Sequence, residues 1–377
     1  MSGTAPSAPD LLYSEIEEEL RASVRDLLAD RCPPGAVLAR CESPEPYDLA
    51  LWRTLAVELG TAGLQVPEKL GGAGASLRET AVVLEELGRS AAPVPFLGSA
   101  VLATTALLAC EAGELLSGLT EGGRVAALVV PFSTPPGGTF PEAVRVGGDG
   151  TLTGRVTSVA DALPASLLLV PAVGGDGPGL YAVEAGALGV GVVRRTSLDL
   201  TRQLADVTLQ GVPARQLAGA ETAAAVLDRA LLTGAGLLAS EQLGIAEWCL
   251  GSTVAYLKER RQFGRALGSF QALKHRLADL WLETVGARAA ARGAADALAG
   301  DGQDTAVAVS VAQAYCGALA VRAAEECIQL HGGIGMTWEH PAHLYLKRAK
   351  ADQIALGTPG FHRNALAGLV DLPGPVG

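Results

Sequence analysis

Two changes in sequence pattern, near residues 120 and 217, limit this chain of 377 residues to few folds. Between them, short apolar runs are separated by Gly, Pro and Asp turns, which is typical of strands. On both sides, apolar residues recur at three- and four-residue spacing in proline-free stretches, which predicts helices. We therefore predict an α+β multidomain chain: an N-terminal helical domain (1–119), a middle β-barrel or sandwich domain (120–217) and a C-terminal helical bundle (218–377).

The N-terminal domain carries one clear helix signal. Ser76 followed by Glu79 is a capping-box pattern, which predicts a helix start directly after the Gly-rich loop 64–74. Residues 1–10 are rich in Ser, Pro and Ala and are expected to fray. The predicted helices of this domain occupy residues 11–31, 48–59 and 76–88.

The other two domains are predicted from apolar runs. We expect about seven strands in the middle domain and a four-helix bundle in the C-terminal domain. The clearest strand signals lie at residues 125–130, 143–146, 167–170, 180–183, 191–195 and 206–209. The predicted bundle helices lie at residues 221–242, 238–260, 270–299 and 303–328.

Composition excludes several classes of function. The net charge of −11 argues against a nucleic-acid partner, which would need a basic face. The six cysteines form no C-x-x-C pair and no secretory leader is visible, so we expect a reduced, cytoplasmic protein. Apolar stretches such as 99–110 are too short to span a membrane. His340 and His343 lack a carboxylate or cysteine cluster beside them, so we expect no metal site.

Two adjacent glycines, Gly332 and Gly333, follow the proline-free stretch 305–328 and are predicted to end its helix. Without a Cβ, such a turn allows a phosphate or flavin to approach its backbone N–H groups. An ordinary helix C-cap is the alternative. Gln329 stands just before this pair, and upstream lie Arg260, Phe263 and Gly264, then Phe270 and Gln271.

These segments resemble the acyl-CoA dehydrogenase family, which carries an R-x-x-F-G…F-Q segment followed by Q-x-x-G-G-x-G. The resemblance implies an FAD-dependent reaction, in which a carboxylate removes the α-proton of an acyl-CoA and the β-hydride passes to flavin. In the commonest members the base is a Glu just before Gly-Thr, and here that position is Leu356, before Gly357 and Thr358. In other members the base lies ten residues before the glycine matching Gly244, and here that position is Gly234.

Other contacts that the family uses are also missing. Leu232 and Ala235 replace an Asp and an Arg that contact the CoA. Residues 130–138 lack the family's T-E-P-x-x-G-S-D pattern, and residues 156–161 lack its W-I-T-N-G-like strand. The base, the CoA contacts and the isoalloxazine contacts are therefore all absent together, so we predict no catalytic residue in this chain.

The residues that remain match a different part of the family's site. In the family most of them hold the ADP half of the FAD of a neighbouring subunit. The predicted cofactor-binding residues are Arg260, Phe263, Phe270, Gln271, Gln329, Gly332, Gly333 and Thr358.

The segment 337–348 resembles actinobacterial relatives that work as α2β2 heterotetramers on steroid-CoA side chains. We therefore predict a non-catalytic subunit that pairs with a homologous catalytic one, in which most of the acyl-CoA site lies. Two alternatives stay open: an autonomous flavin-dependent oxidase or monooxygenase, and a flavin-free scaffold or regulator. The acyl group and the electron acceptor do not follow from the sequence.

Overall fold

The computed structural model describes residues 11–300, 302 and 304–373. The segment 1–10, predicted to fray, lies outside the described residues. Within them, helices precede and follow one large sheet of eight strands, so the predicted α+β order of a helical region, a β region and a second helical region is confirmed. The domain boundaries at 119 and 217 stay a prediction.

Within the described residues, six α-helices precede the sheet. Capping boxes begin two of them, at Ser14 with Glu17 and at Ser76 with Glu79, which confirms the second helix start. The first helix begins at Glu15 rather than residue 11, and Ile16 is 70% exposed, so its buried stripe is shorter than predicted. The helices are α1 (Glu15–Arg31), α2 (Pro34–Cys41), α3 (Leu49–Arg53), α4 (Leu77–Ser90), α5 (Thr104–Ala109) and α6 (Gly113–Thr120). π-Helical turns at Thr54–Glu58 and Phe96–Ala103 continue α3 and lead into α5.

The middle region forms one mixed sheet of eight strands, in the order β6-β7-β3-β2-β4-β5-β8, with β1 paired in parallel to β4. All six clear strand signals correspond to strands, because alternating burial and turn residues are local properties. The strands are β1 (Ala126–Leu128), β2 (Val144–Val146), β3 (Thr151–Ala160), β4 (Leu167–Gly174), β5 (Gly177–Glu184), β6 (Val190–Arg195), β7 (Leu204–Pro213) and β8 (Arg215–Ala218).

Five α-helices follow the sheet in the part of the chain that the structure describes. The two helices predicted at 221–242 and 238–260 are one continuous helix of 37 residues, since no Pro interrupts them and their small residues pack on every side. The helices Ala342–Ile354 and Pro359–Leu369 both pack on the helix Thr305–His331. The elements are α7 (Ala223–Glu259), a hairpin of β9 (Arg261–Gln262) and β10 (Arg265–Ala266), α8 (Gln271–Ala299), α9 (Thr305–His331), α10 (Ala342–Ile354) and α11 (Pro359–Leu369).

Two glycines let the N-terminal helices pack tightly on the C-terminal ones. A Cβ at Gly88 of α4 would overlap the carbonyl of Glu241, and a Cβ at Gly244 of α7 would overlap the carbonyl of Glu85. Only glycine permits this separation of the two helices.

By length and composition, α7 and the stretch Thr305–Met336 could each cross a membrane. Their apolar windows are 72% and 56% buried within the protein, as in core helices.

Candidate functional site

The two positions that the resemblance assigns to a catalytic base, Leu356 and Gly234, lie against each other. Leu356 follows α10, is fully buried and has a φ of +51°. A Cβ at Gly234 in α7 would lie 3.1 Å from Cδ1 of Leu356 and would overlap Cδ2 of Leu102. Two leucine side chains therefore fill the place where a carboxylate would act.

The segment after β1 closes onto the helices at the same place. The N–H of Leu356 donates to the carbonyl of Phe132 at 2.8 Å, and a Cβ at Gly357 would lie 3.2 Å from Cβ of Pro135. A planar ring between two walls needs roughly 7 Å between their atoms, twice the optimal carbon–carbon separation. At the contact between these described residues, the chain does not fit an isoalloxazine. A cavity of about 270 Å³ beside it is lined in part by Phe132, Ser158 and Ile354.

A cleft of about 700 Å³ lies at the N-terminal end of α7. Leu232 lines it, whereas Ala235 is fully buried and its carbonyl accepts a hydrogen bond from Gln313. The volume suits a small molecule. The two positions that would contact a CoA, however, offer only hydrocarbon. Polar groups around the cleft include Gln65, Ser76, Asp228, Arg229 and Thr305.

A second cavity, of about 560 Å³, lies where α7 and α9 end. Four predicted cofactor residues line it: Arg260, Gln329, Gly332 and Gly333. A Cβ at either glycine would meet no atom within 4 Å, so their backbone faces open space. The N–H of Gly332 donates to the carbonyl of Gln329 as a helix cap, so Gly332 does not offer it to a ligand.

The hairpin of β9 and β10 beside this cavity, together with the residue before it, is positively charged, although the protein as a whole is acidic. Its two central residues, Phe263 and Gly264, have φ values of +52° and +76°, which is the type I′ turn. Within the described chain, Arg260, Arg261 and Arg265 form no ion pair. Such unpaired guanidinium groups are suited to binding phosphate.

The other predicted cofactor residues do not line the cavity. Phe263 is 86% exposed at the hairpin tip, and its ring lies 6.1 Å from that of Phe270, edge to face. Gln271 begins α8 and is exposed. Thr358 caps α11, where its hydroxyl accepts the N–H of Phe361 at 3.2 Å. Thr358 therefore has a structural role in the described chain.

A buried ion network joins the segment between β6 and β7 to α7 and α10. Glu241 binds Arg348 at 2.6 Å and Arg202 at 2.7 Å, and Arg202 also binds Asp352 at 2.8 Å. Burial would raise the pKa of Glu241, but the two guanidinium groups outweigh it and lower this pKa to about 2. Glu241 is fully buried, and both of its partners come from segments distant in sequence, so no local pattern in α7 identifies them.

The histidines near the glycine pair are engaged by the protein itself. Nδ1 of His331 lies 2.7 Å from the carbonyl of Cys327, Nδ1 of His340 accepts the N–H of Ala342, and Nε2 of His343 lies 3.0 Å from the carbonyl of Trp338. Across the described residues, no three His, Cys, Asp or Glu side chains cluster in a metal-binding arrangement.

Sequence reasoning missed two aromatic residues of the cavity at the ends of α7 and α9. Tyr256 lies four residues before Arg260, one helical turn away, and His331 lies directly before the glycine pair. Their spacing from the motif residues was visible in the sequence. That their rings stack depends on how α7 packs on α9.

Two family descriptions match the chain: "Acyl-CoA dehydrogenase, N-terminal domain" over residues 14–112 and "Acyl-CoA dehydrogenase, C-terminal domain" over residues 224–369. Among relatives, the acyl-CoA dehydrogenase IpdE2 of Mycolicibacterium smegmatis is 37% identical over 347 residues. The matched region covers 92% of this chain and 96% of that protein.

Two solved structures share the fold over nearly the whole chain. A Tcur3481-Tcur3483 steroid ACAD variant is 32% identical with a TM-score of 0.83, and the match covers 95% of this chain and 98% of that one. The ChsE4-ChsE5 complex from Mycobacterium tuberculosis is 29% identical with a TM-score of 0.86, and the match covers 97% of this chain and 100% of that one.

Proposed function

This chain belongs to the acyl-CoA dehydrogenase family, and we propose that it is the non-catalytic subunit of an FAD-dependent α2β2 assembly. Two copies would pair with two copies of a homologous catalytic subunit, which contains most of the acyl-CoA site. The assembly introduces an α,β double bond into an acyl-CoA whose acyl group is the side chain of a steroid. The similarity to a steroid ACAD and to a two-protein complex supports this substrate class and this partner.

The main observation that supports this proposal is the burial of Leu356. Proton abstraction from a thioester needs a carboxylate within hydrogen-bond reach of the α-carbon. Leu356 occupies one position where such a base would stand, and its side chain packs at the other. Its N–H bond to Phe132 also joins the two walls that would have to hold a flavin ring. This chain therefore lacks both the base and the width for a redox centre of its own.

The cavity at the ends of α7 and α9 suits the other end of the cofactor. FAD is the cofactor of the family, and when bound it accepts the hydride in the reaction. Arg260 can bind a phosphate oxygen by a charge-assisted hydrogen bond. The exposed amide of Gln329 can hydrogen-bond the adenosine side, and the absence of a Cβ at Gly333 leaves room for the ligand.

Distance within the chain supports a cofactor shared with another subunit. Gly234 lies in the first half of α7 and Arg260 caps its C-terminal end, so the two residues are roughly 40 Å apart along the helix axis at 1.5 Å per residue. That exceeds the reach of one extended dinucleotide. A cofactor bound near Arg260 would therefore have its flavin ring on a different chain.

The test is to co-express this chain with a homologous catalytic subunit encoded nearby and to measure FAD per chain by absorbance. We expect one FAD per two chains, and a colourless protein when this chain is purified alone. One FAD per chain, or a yellow and active isolated chain, would overturn the proposal.

One observation favours the second candidate, an autonomous oxidase or monooxygenase. The cleft of about 700 Å³ keeps the volume of a substrate site, and such chemistry does not need the missing carboxylate. The colour of the isolated chain separates the two candidates. A complex that forms without any flavin would instead support a scaffold.

A further inference from the structure

The cavity at the ends of α7 and α9 contains an aromatic stack that none of the motif residues explains. The rings of Tyr256 and His331 are 4.5 Å apart with an interplanar angle of 27°, and the ring of His340 lies 4.3 Å from that of His331. His331 is buried, while Tyr256 is half-buried and lines the cavity. One face of Tyr256 is therefore covered by protein, and the ring still borders open space.

The Tyr256 ring packs on His331, and His331 is itself held in position by a hydrogen bond. Nδ1 of His331 lies 2.7 Å from the carbonyl of Cys327, and since a carbonyl only accepts, this nitrogen carries the proton. The bond holds the His331 ring in one orientation. The backbone of Tyr256 is fixed as well, because its carbonyl accepts the N–H of Arg260 at 2.9 Å. A ring held in this way can stack on a ligand with little loss of conformational entropy.

The polar groups around the ring indicate the class of ligand. Arg276 also lines the cavity, but its guanidinium is held by Glu326 through two hydrogen bonds of 3.0 and 2.8 Å. In the described chain, Arg260 lines the cavity without an ion pair, and the Gln329 amide beside it is exposed. An aromatic face, an amide and an unpaired cation within about 560 Å³ match a purine ring linked to a phosphate.

We propose that Tyr256 is the stacking platform for the adenine ring of the FAD that this cavity holds, and that it gives the assembly its preference for FAD over FMN. This inference rests on the proposed function. FMN has the same flavin ring but no adenylate, so its binding does not involve Tyr256.

The experiment uses the co-purified assembly, stripped of flavin and titrated with FAD and with FMN while flavin fluorescence is followed. Tyr256→Leu removes the aromatic face at similar bulk, and we expect its dissociation constant for FAD to rise about five- to a hundredfold. The same variant should bind FMN as the wild type does. Tyr256→Phe keeps the face and should bind FAD within about threefold of the wild type, since the Tyr256 hydroxyl makes no hydrogen bond in the described chain.

Three outcomes would overturn the inference: unchanged FAD affinity in a folded Tyr256→Leu variant, an equal loss for FAD and FMN, or a loss for Tyr256→Phe as large as for Tyr256→Leu. If Tyr256→Leu does not fold, Tyr256→Trp decides, because a larger aromatic face should keep FAD affinity and a mere packing role predicts its loss. Arg260→Ala tests the proposed function separately. If it weakens FAD and Tyr256→Leu does not, only the stacking inference fails. If neither does, the cavity holds no cofactor.

Discussion

Replacing Leu356 with Glu puts a carboxyl group at the position of the family's commonest base, and the structure predicts a loss of stability rather than a gain of catalysis. The new side chain would point among Leu102, Gly234 and the segment around Phe132. Water is excluded from this place, because Leu356 is fully buried. The Leu356 side chain packs on hydrocarbon at Gly234, so we expect the carboxyl to be protonated.

The magnitude follows from two contributions. Removing the buried leucine side chain costs about 1.5–3 kcal/mol. Protonating a carboxyl of ordinary pKa about 4.3 at pH 7 costs about 3.7 kcal/mol, at 1.36 kcal/mol per pH unit. The variant should therefore lose about 5–7 kcal/mol of unfolding free energy at pH 7, which is comparable to the whole stability of many domains.

The loss of stability in Leu356→Glu should change with pH in one direction. Burial raises the folded-state pKa of the new Glu above its unfolded value, so the destabilisation is present above the unfolded pKa and shrinks as the pH falls towards it. At pH 5 the protonation cost falls to about 1 kcal/mol. The variant should then recover about 2.7 kcal/mol relative to the wild type.

Urea unfolding of the wild type, Leu356→Glu and Leu356→Gln at pH 7 and pH 5 measures this difference. Leu356→Gln has a similar shape and no titratable group, so its loss of stability should not change between the two pH values. The assembly containing Leu356→Glu should show no added dehydrogenase activity. A loss below about 1 kcal/mol that is the same at both pH values, or a doubled turnover, would refute the reasoning, since it would require a hydrated or flavin-bearing site.

Two other changes test the remaining features. Glu241→Gln should lower the unfolding free energy by about 3–5 kcal/mol at pH 7, because it leaves Arg202 and Arg348 without their shared carboxylate. Since the folded pKa of Glu241 is depressed to about 2, this stabilisation is present above the unfolded pKa and disappears as the pH falls towards 2. Wild type and variant should thus converge in acid unfolding experiments, and a constant gap would contradict the assignment. Arg260→Ala should weaken FAD about ten- to a hundredfold with the assembly intact by gel filtration. Normal flavin content would reassign Arg260 to a surface role.

Local rules in the sequence predicted much of the fold. The capping box at Ser76 and Glu79 was predictable because both of its hydrogen bonds lie within one helical turn. The end of α9 at Gly332 was predictable because a φ of +65° favours glycine. The strand positions followed from short apolar runs between turn residues. Each of these predictions depends on neighbours only a few residues away.

The errors concern packing between distant segments. The helix predicted to break near residue 240 continues through Glu241, because the buried partners Arg202 and Arg348 make a charged residue possible in the core. Arg202 comes from the end of the sheet region and Arg348 from α10. No rule of periodicity within α7 could identify either partner. The same limit applies to the stack of Tyr256 on His331, which joins two helices.

The residues of the candidate site also differ in how well the sequence predicted their roles. Motif residues identified Arg260 and Gln329, which the structure brings together at one cavity. Thr358 was also predicted as a cofactor-binding residue, and in the structure its hydroxyl caps α11. Threonine before proline at a helix start is a strong local cap, so the local role is sufficient to explain this residue.

The filled position at Gly234 and the open cavity near Arg260 lie far apart along α7 and are physically independent. Gly234 packs against Leu356 and Leu102, whereas Arg260 ends the same helix roughly 40 Å away and shares no contact with them. Substitutions this far apart normally have additive effects. A leucine at position 356 therefore removes the base without altering the cavity near Arg260. The proposed loss of chemistry near Gly234 is therefore compatible with the proposed binding of a partner's cofactor near Arg260.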